Sequence, residues 1–230
     1  MRSDIHEVIL LLGRPASGKS EIIDYLTRMD PEERRRRMHV GTPVILDDFP
    51  MLWAWFEEDD ILQAMGRPRL HSTADGWFLG QHLWDVLIRR LCLEHEKLLA
   101  ADPRLHDHTT VVIEFSRGTE HGGYQAAFGE LSAAVRERAA ALYVEVSYEE
   151  SLRKNRRRFN PAKPYSILEH GLSDEKLTTL YKDDDFNAVS GRGLPFPSVV
   201  FPNNDDVTTP RGAALGQRLE EKLTELWKKH

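Results

Sequence analysis

The strongest constraint on this chain is local. Residues 8–12, V-I-L-L-L, run directly into G-R-P-A-S-G-K-S at 13–20, and then into E-I-I-D-Y-L. The first run reads as a buried strand and the last as the opening of a helix. A G-x-x-x-x-G-K-S turn between a strand and a helix has the spacing of a phosphate cradle. Gly13 and Gly18 let the backbone wrap tightly. Main-chain N–H groups along Ala16, Ser17, Gly18, Lys19, Ser20 and Glu21 then converge on anionic oxygens, where the helix N-terminus adds its partial positive charge. Lys19 is spaced to reach the β- and γ-phosphates, and the Ser20 hydroxyl to help hold Mg²⁺. The expected ligands are therefore ATP and Mg²⁺.

Five apolar, β-branched runs predict buried parallel strands: Val8–Leu12, Val44–Leu46, Thr110–Phe115, Leu142–Val146 and Val199–Phe201. Helical patterns separate them, so a single α/β domain over 1–230 is expected, a three-layer α/β/α sandwich around a parallel sheet. The strand C-termini then share one edge, which is where open α/β sheets bind ligands. Between the second and third strands lies a long insert, about 50–105. Helices are expected there over about Leu52–Met65 and Trp77–Ala100, the latter with Trp84, Leu87, Ile88 and Leu91 on one face. After the fourth strand, about 153–196, a Pro-, Gly- and Asp-rich stretch predicts a mobile polar lid rather than core.

Acidic residues end two strands. Asp47 and Asp48 close the second, in V-I-L-D-D-F-P, and Glu114 lies near the end of the third, in V-V-I-E-F-S-R-G. A Mg·ATP site needs a carboxylate beside the loop serine, and phosphoryl transfer needs one to orient or deprotonate the acceptor hydroxyl. An acid inside an apolar strand is costly without a cation or metal partner, which singles out Glu114. Asp47 and Glu114 are candidate metal partners, and Asp48 and Glu114 candidate catalytic groups. The Asp47-Asp48 pair also admits a plain reading, a solvated turn with Asp48 capping a helix that starts near Pro50.

Beyond the fourth strand, Arg153, Arg156 and Arg157 fall at i, i+3 and i+4 with Arg158 alongside, a helix face able to clamp phosphate. A second run, Arg34–Arg37, reads as a solvated surface. His106-Asp107-His108 sits in a polar turn and Cys92 in an apolar helix, so neither is expected to act as a ligand.

Bulk properties exclude several classes. A net charge of −6 opposes nucleic-acid and membrane binding by the whole surface. No apolar stretch approaches the roughly 20 residues of a membrane span. The first strand begins too early to leave room for a signal peptide, and one cysteine allows no internal disulfide. A cytoplasmic protein is expected.

Together these segments resemble the nucleoside- and nucleoside-monophosphate-kinase-like branch of P-loop proteins. The resemblance implies strand order 2-3-1-4-5, an acceptor site between strands two and three, and an ATP-dependent kinase acting on a nucleoside, nucleotide or similar metabolite. E-F-S-R-G followed by G-G-Y-Q resembles the acceptor segment of adenylate-kinase-like enzymes. By that likeness Arg117 contacts an acceptor phosphate or another anionic group, Gln125 contacts an acceptor base, and Asp47 and Asp48 lie beside the acceptor. Arg153 and Arg157 resemble lid arginines, and Asn203 and Asn204 the loop beside adenine. The insert carrying Trp53, Trp55, Phe56, Trp77 and Phe78 departs from the pattern and reads as core or as a homodimer surface. Two other readings stand beside a kinase: a non-catalytic ATP switch, and a nucleic-acid-end kinase using Arg34–Arg37 as a phosphate track. A GTPase is disfavoured, because Asn203-Asn204-Asp205-Asp206 lacks the lysine of N-K-x-D.

Overall fold

A strand that is apolar on both sides must be covered on both faces. In the computed structural model, which describes residues 4–158 and 172–229, it is. Strands β1 (Val8–Gly13), β2 (Thr42–Asp47), β3 (Thr109–Phe115), β4 (Ala139–Glu145) and β5 (Ser198–Pro202) form one parallel sheet in the order β2-β3-β1-β4-β5. Helices α1 (Lys19–Arg28) and α2 (Pro31–Met38) link β1 to β2, and α3 (Asp48–Ala64) and α4 (His82–Ala101) link β2 to β3. Short helices α5 (Gly123–Gly129) and α6 (Ala133–Arg136) precede β4. Then come α7 (Tyr148–Arg158), α8 (Asp174–Tyr181), α9 (Phe186–Gly191) and, after β5, α10 (Ala213–Lys229).

Alternation along the strands divides the core in two. Val8, Leu10, Leu12, Val111 and Ile113 face Ile88, Leu91 and Cys92 of α4 and Tyr124 and Phe128 of α5. Ile9, Leu11, Val112 and Leu142 face Ile22 and Leu26 of α1 and the α10 stripe Leu215, Leu219, Leu223 and Leu226. Each of those four leucines is fully buried, worth about 1.5–3 kcal/mol of transfer free energy apiece. Pro43 and Pro202 are tolerated because β2 and β5 are the sheet's edges, where a missing N–H breaks no interior ladder.

The boundaries differ from expectation where propensity misleads. Strand β4 starts at Ala139, three residues early, because Ala139, Ala140 and Ala141 are held by burial and not by β-branching. Trp77 and Phe78 are not helical: Ser72 and Phe78 form an antiparallel bridge, and α4 begins only at His82. Part of the expected lid, 159–171, lies outside the described residues. The described remainder is less loop-like than its composition suggests. It carries α8 and α9, and it inserts Phe186 and Phe196 into the core, with Phe186 stacked on Tyr143 at 4.1 Å between ring centroids.

The Arg34–Arg37 run is not the wholly solvated surface expected. Arg34 is buried and donates to the carbonyls of Leu26, Met29 and Gly41, closing the end of α1. Arg35 pairs with Asp4, and Arg37 with Glu220 at 2.6 Å. No helix among the described residues is long and apolar enough to cross a membrane.

Candidate active site

The loop after β1 has the backbone its glycines predict. Gly13 has φ +145° and Gly18 φ +110°, conformations that side chains rarely adopt. A Cβ at Gly13 would lie 2.5 Å from the Val144 carbonyl oxygen, and one at Gly18 would strike Thr208 and Asn203. Ala16 also takes a left-handed φ of +56°. Helix α1 starts at Lys19, so its first-turn N–H groups have no intrahelical acceptor and are available to an anion. The Ser17 hydroxyl is buried with no hydrogen-bond partner among the described residues, the kind of orphan a phosphate oxygen would satisfy. The fold is thus a parallel α/β sheet of order β2-β3-β1-β4-β5 with a phosphate-cradle turn between β1 and α1.

Four distant segments brace this loop. Tyr124, wholly buried on α5, accepts from the Gly13 N–H at 3.0 Å. Asn203, just beyond β5, donates its carboxamide to the Ser17 carbonyl at 2.7 Å and to Thr208 Oγ1 at 2.8 Å. Arg14 donates to the carbonyls of Val146, Tyr181 and Lys182 and pairs with Asp184 at 2.7 Å. The Asn203 side chain therefore supports the loop from behind and does not line the cleft. Asn204 likewise accepts from the Ser147 N–H.

The acidic strand ends meet the loop in register. Asp47 and Glu114 are directly paired across β2 and β3, on the α1 face that continues Ile45 and Val112. Lys19 Nζ lies 3.8 Å from Glu114 and donates to the carbonyls of Gly13 and Arg14 and to Ser116 Oγ. Burial pushes the Glu114 carboxyl up to about 7 against the pull of Lys19, with Asp47 and Asp48 raising it further. Burial, reinforced by Asp48, pushes Asp47 up to about 6, and burial depresses the Lys19 ammonium despite its carboxylate neighbours. Asp47, not Asp48, caps α3, accepting from the Phe49 N–H at 2.9 Å; the helix starts two residues before Pro50.

Asp48 is instead tied to Arg117. The two meet at 2.7 Å, and Arg117 is 2% exposed. Its guanidinium also donates to the carbonyls of Ser116 and Trp84 and lies 5.2 Å from the Trp84 ring centroid and 5.4 Å from that of Phe115. A neutral His121 is stacked on the other part of the same wall, 3.8 Å from Trp84, with burial and then Arg117 holding its ring down to about 3.

Loop and carboxylates open into one cleft of about 880 Å³. Ser20, Asp47, Asp48, Glu114 and Arg117 line it together. So do Trp53, Phe56, Trp77, Phe78 and Trp84, which turns most of the aromatic insert from interior packing into cleft wall; Trp55 stacks on His71 instead. Of the α7 cations, Lys154, Arg157 and Arg158 line the cleft. Arg153 does not; it is held by Glu150 at 2.7 Å and by Asp206 at 3.4 Å, and Arg156 is held by Asp174. The sequence does not single out Lys154, because 154, 157 and 158 share a helix face as well as 153, 156 and 157 do. Periodicity defines a face without saying which face looks inward. Gln125 is exposed on α5, its N–H held by Asp185, and is not part of the cleft.

The donor set available to a cation is all oxygen: Ser20, Asp47 and Glu114 beside whatever phosphate the loop holds. Among the described residues no three His, Cys, Asp or Glu side chains group as a self-sufficient metal site. Hydroxyl and carboxylate oxygens fit Mg²⁺, which is held by few protein ligands and shared with substrate phosphates. His106 makes a buried contact with His95 at 3.1 Å and is remote from this chemistry. Cys92 is buried and accepts from the Ser132 N–H.

No protein-family model and no curated protein matches this chain. Among solved structures, TT1252 from Thermus thermophilus is similar over 96% of this chain and 98% of its own, at 17% identity and a TM-score of 0.44. A sugar kinase from Janibacter sp. HTCC2649 is similar over 97% and 95%, at 14% identity and a TM-score of 0.42. Similarity this distant carries no argument about chemistry, which rests on the cleft itself.

Proposed function

We propose that this chain is a kinase that transfers the γ-phosphoryl group of Mg·ATP to a hydroxyl of a small acceptor. One observation carries the reading. A phosphate loop with an orphaned serine hydroxyl opens into the same cleft as three carboxylates, at the edge of the sheet where α3 begins. A loop used for nucleotide binding alone has no need of a second compartment lined by acids and aromatic rings.

In this reading the first-turn amides of α1 and Lys19 bind the β- and γ-phosphates, with Arg157 and Arg158 of the cleft lining neutralising charge on the transferred group. Lys19 must release its carbonyl and Ser116 contacts to do so, which its flexible stem allows. Ser20, with Asp47 and Glu114 behind it, would hold Mg²⁺. That ion, when bound, supplies charge neutralisation at the β- and γ-oxygens. Asp48 stands on the acceptor side, fixed by Arg117, and serves to orient the hydroxyl and take its proton as the bond to phosphorus forms. Asp48 and the loop share one rigid framework, so nucleophile and phosphoryl group are brought into line without further ordering.

The test is Lys19→Ala in the full chain. Removing the ammonium is expected to lower acceptor-dependent ADP formation at least 100-fold while leaving the thermal midpoint within a few degrees of the parent. An unaltered rate would defeat the assignment of the loop.

A further inference from the structure

The kinase reading leaves the acceptor open, and the two ends of the cleft differ enough to narrow it. At the nucleotide end, cations dominate: Lys19, Lys154, Arg157, Arg158 and Arg211 all line the cavity. The other end, between α3, α4 and the segment after β3, is built of aromatic rings and acids. Trp53, Phe56, Trp77, Phe78 and Trp84 form its walls, and Asp48, Asp75 and Glu120 lie among them.

Among the described residues two cations, Arg117 and Lys176, reach that end, and both are already engaged. Arg117 is locked by Asp48, by two main-chain carbonyls and between two rings, and it is 2% exposed. It cannot turn toward an acceptor phosphate without stranding Asp48. Lys176, from α8, donates to the carbonyls of Asp75 (2.5 Å) and Gly76 (3.0 Å) and sits 5.5 Å from the Trp77 ring centroid. An anionic acceptor would therefore be desolvated against carboxylates and aromatic faces, with no unengaged cation among the described residues of that end to receive it, which is unfavourable.

His121 adds an independent observation. Its Nδ1 accepts from the Gly118 N–H at 3.4 Å, so in the neutral ring Nε2 carries the proton. That Nε2 is buried, on a residue that lines the cleft, and has no hydrogen-bond partner among the described residues. A buried donor without an acceptor is rare, and one on a ligand cleft marks where a ligand's oxygen or ring nitrogen would be received.

We propose that the α3–α4 end of the cleft binds a flat-ringed alcohol that carries no phosphate or carboxylate, stacked among the tryptophans and hydrogen-bonded by His121 Nε2. This rests on the kinase reading for the hydroxyl and deepens it. It also replaces the acceptor-phosphate role that resemblance assigns to Arg117 with a structural one.

The test reads binding, not turnover. Tryptophan fluorescence of the full chain is followed with a non-hydrolysable Mg·ATP analogue held at saturation, so that the nucleotide end is filled. The probes are matched pairs, each a ring-bearing alcohol with and without its phosphate: thymidine, adenosine, pyridoxine and riboflavin against their 5′-monophosphates. The expected result is that at least one unphosphorylated member binds at least tenfold more tightly than its phosphate, with a Kd that changes less than twofold between 0.05 and 0.5 M salt. His121→Phe, which keeps the stack but loses the donor, should weaken that binding about tenfold, and His121→Gln should restore part of it. A phosphate that binds as tightly as its parent alcohol, or tighter and with salt dependence, overturns the proposal. So does a set in which no probe binds while the ATP analogue still does. Failure of the analogue itself to bind instead removes the kinase reading on which the proposal rests.

Discussion

The Asp48–Arg117 pair gives the sharpest prediction, because both the acceptor argument and the proposed catalytic geometry depend on it. Replacing Arg117 by Met removes the 2.7 Å contact to Asp48, the donors to the carbonyls of Ser116 and Trp84, and the cation between two rings. Breaking a buried pair by removing one partner costs about 3–5 kcal/mol, chiefly because the other charge is left uncompensated. Asp48 has 10% of its side chain exposed on the cleft wall, where water can reach it, so the low end applies: about 3 kcal/mol. For a chain of this size that is a fall in Tm of roughly 6–12 °C. Asp48→Asn strands the guanidinium instead and should cost about 2 kcal/mol. The double variant Arg117→Met/Asp48→Asn leaves neither charge unpaired, so it should be less destabilised than the sum of the singles by about 2 kcal/mol. Urea unfolding of the four proteins, without nucleotide, measures this. Additivity within about 0.5 kcal/mol would mean that the pair is not coupled, and that Arg117 is available to a substrate after all.

Two further outcomes follow from the loop and its acids. Burial raises Glu114 to about 7 and Asp47 to about 6, so the native state holds protons that the unfolded chain has already released near pH 4–4.5. The stability these groups contribute is complete below that range and is lost as pH rises through 6 and 7. The Tm of the nucleotide-free protein should therefore fall between pH 5 and 8, and Glu114→Gln should flatten the slope; a rising Tm in the parent would contradict the burial of these acids. Mg²⁺ requires the deprotonated carboxylates, so its affinity in the presence of ATP should climb over the same interval. Asn203→Ala removes the donor to the Ser17 carbonyl and to Thr208, at a cost of about 1–3 kcal/mol. It should raise KM for ATP severalfold with little change in kcat, because the side chain shapes the loop and lies off the cleft; a loss confined to kcat would argue against that role.

What could be read from the sequence was what short segments determine for themselves. The phosphate loop announces itself because its glycines are required by φ values of +145° and +110° that follow from the turn alone. The strands show because parallel strands are apolar throughout, and the acids Asp47, Asp48 and Glu114 show because they interrupt that pattern at its ends. The polyalanine opening of β4 was hidden, since alanine carries no strand signal and only its neighbours hold it there. The positions of Asn203, Arg117 and Trp84 could not be read either. Asn203 meets Ser17 across 186 residues and Arg117 meets Asp48 across 69, and no local pattern encodes a partner at that separation. The aromatic insert showed as apolar, but whether apolar rings close a core or wall a cleft depends on what stands opposite them.

Arg14 occupies one of the four slots that the G-x-x-x-x-G-K-S pattern leaves blank, yet its guanidinium fastens the loop to Val146, Tyr181, Lys182 and Asp184. A blank in a motif records only that many chains differ there. In this chain the same slot is a junction where the loop is sewn to two remote stretches, so grafting the loop of another nucleotide-binding protein would preserve every signature residue and still unpick the seam.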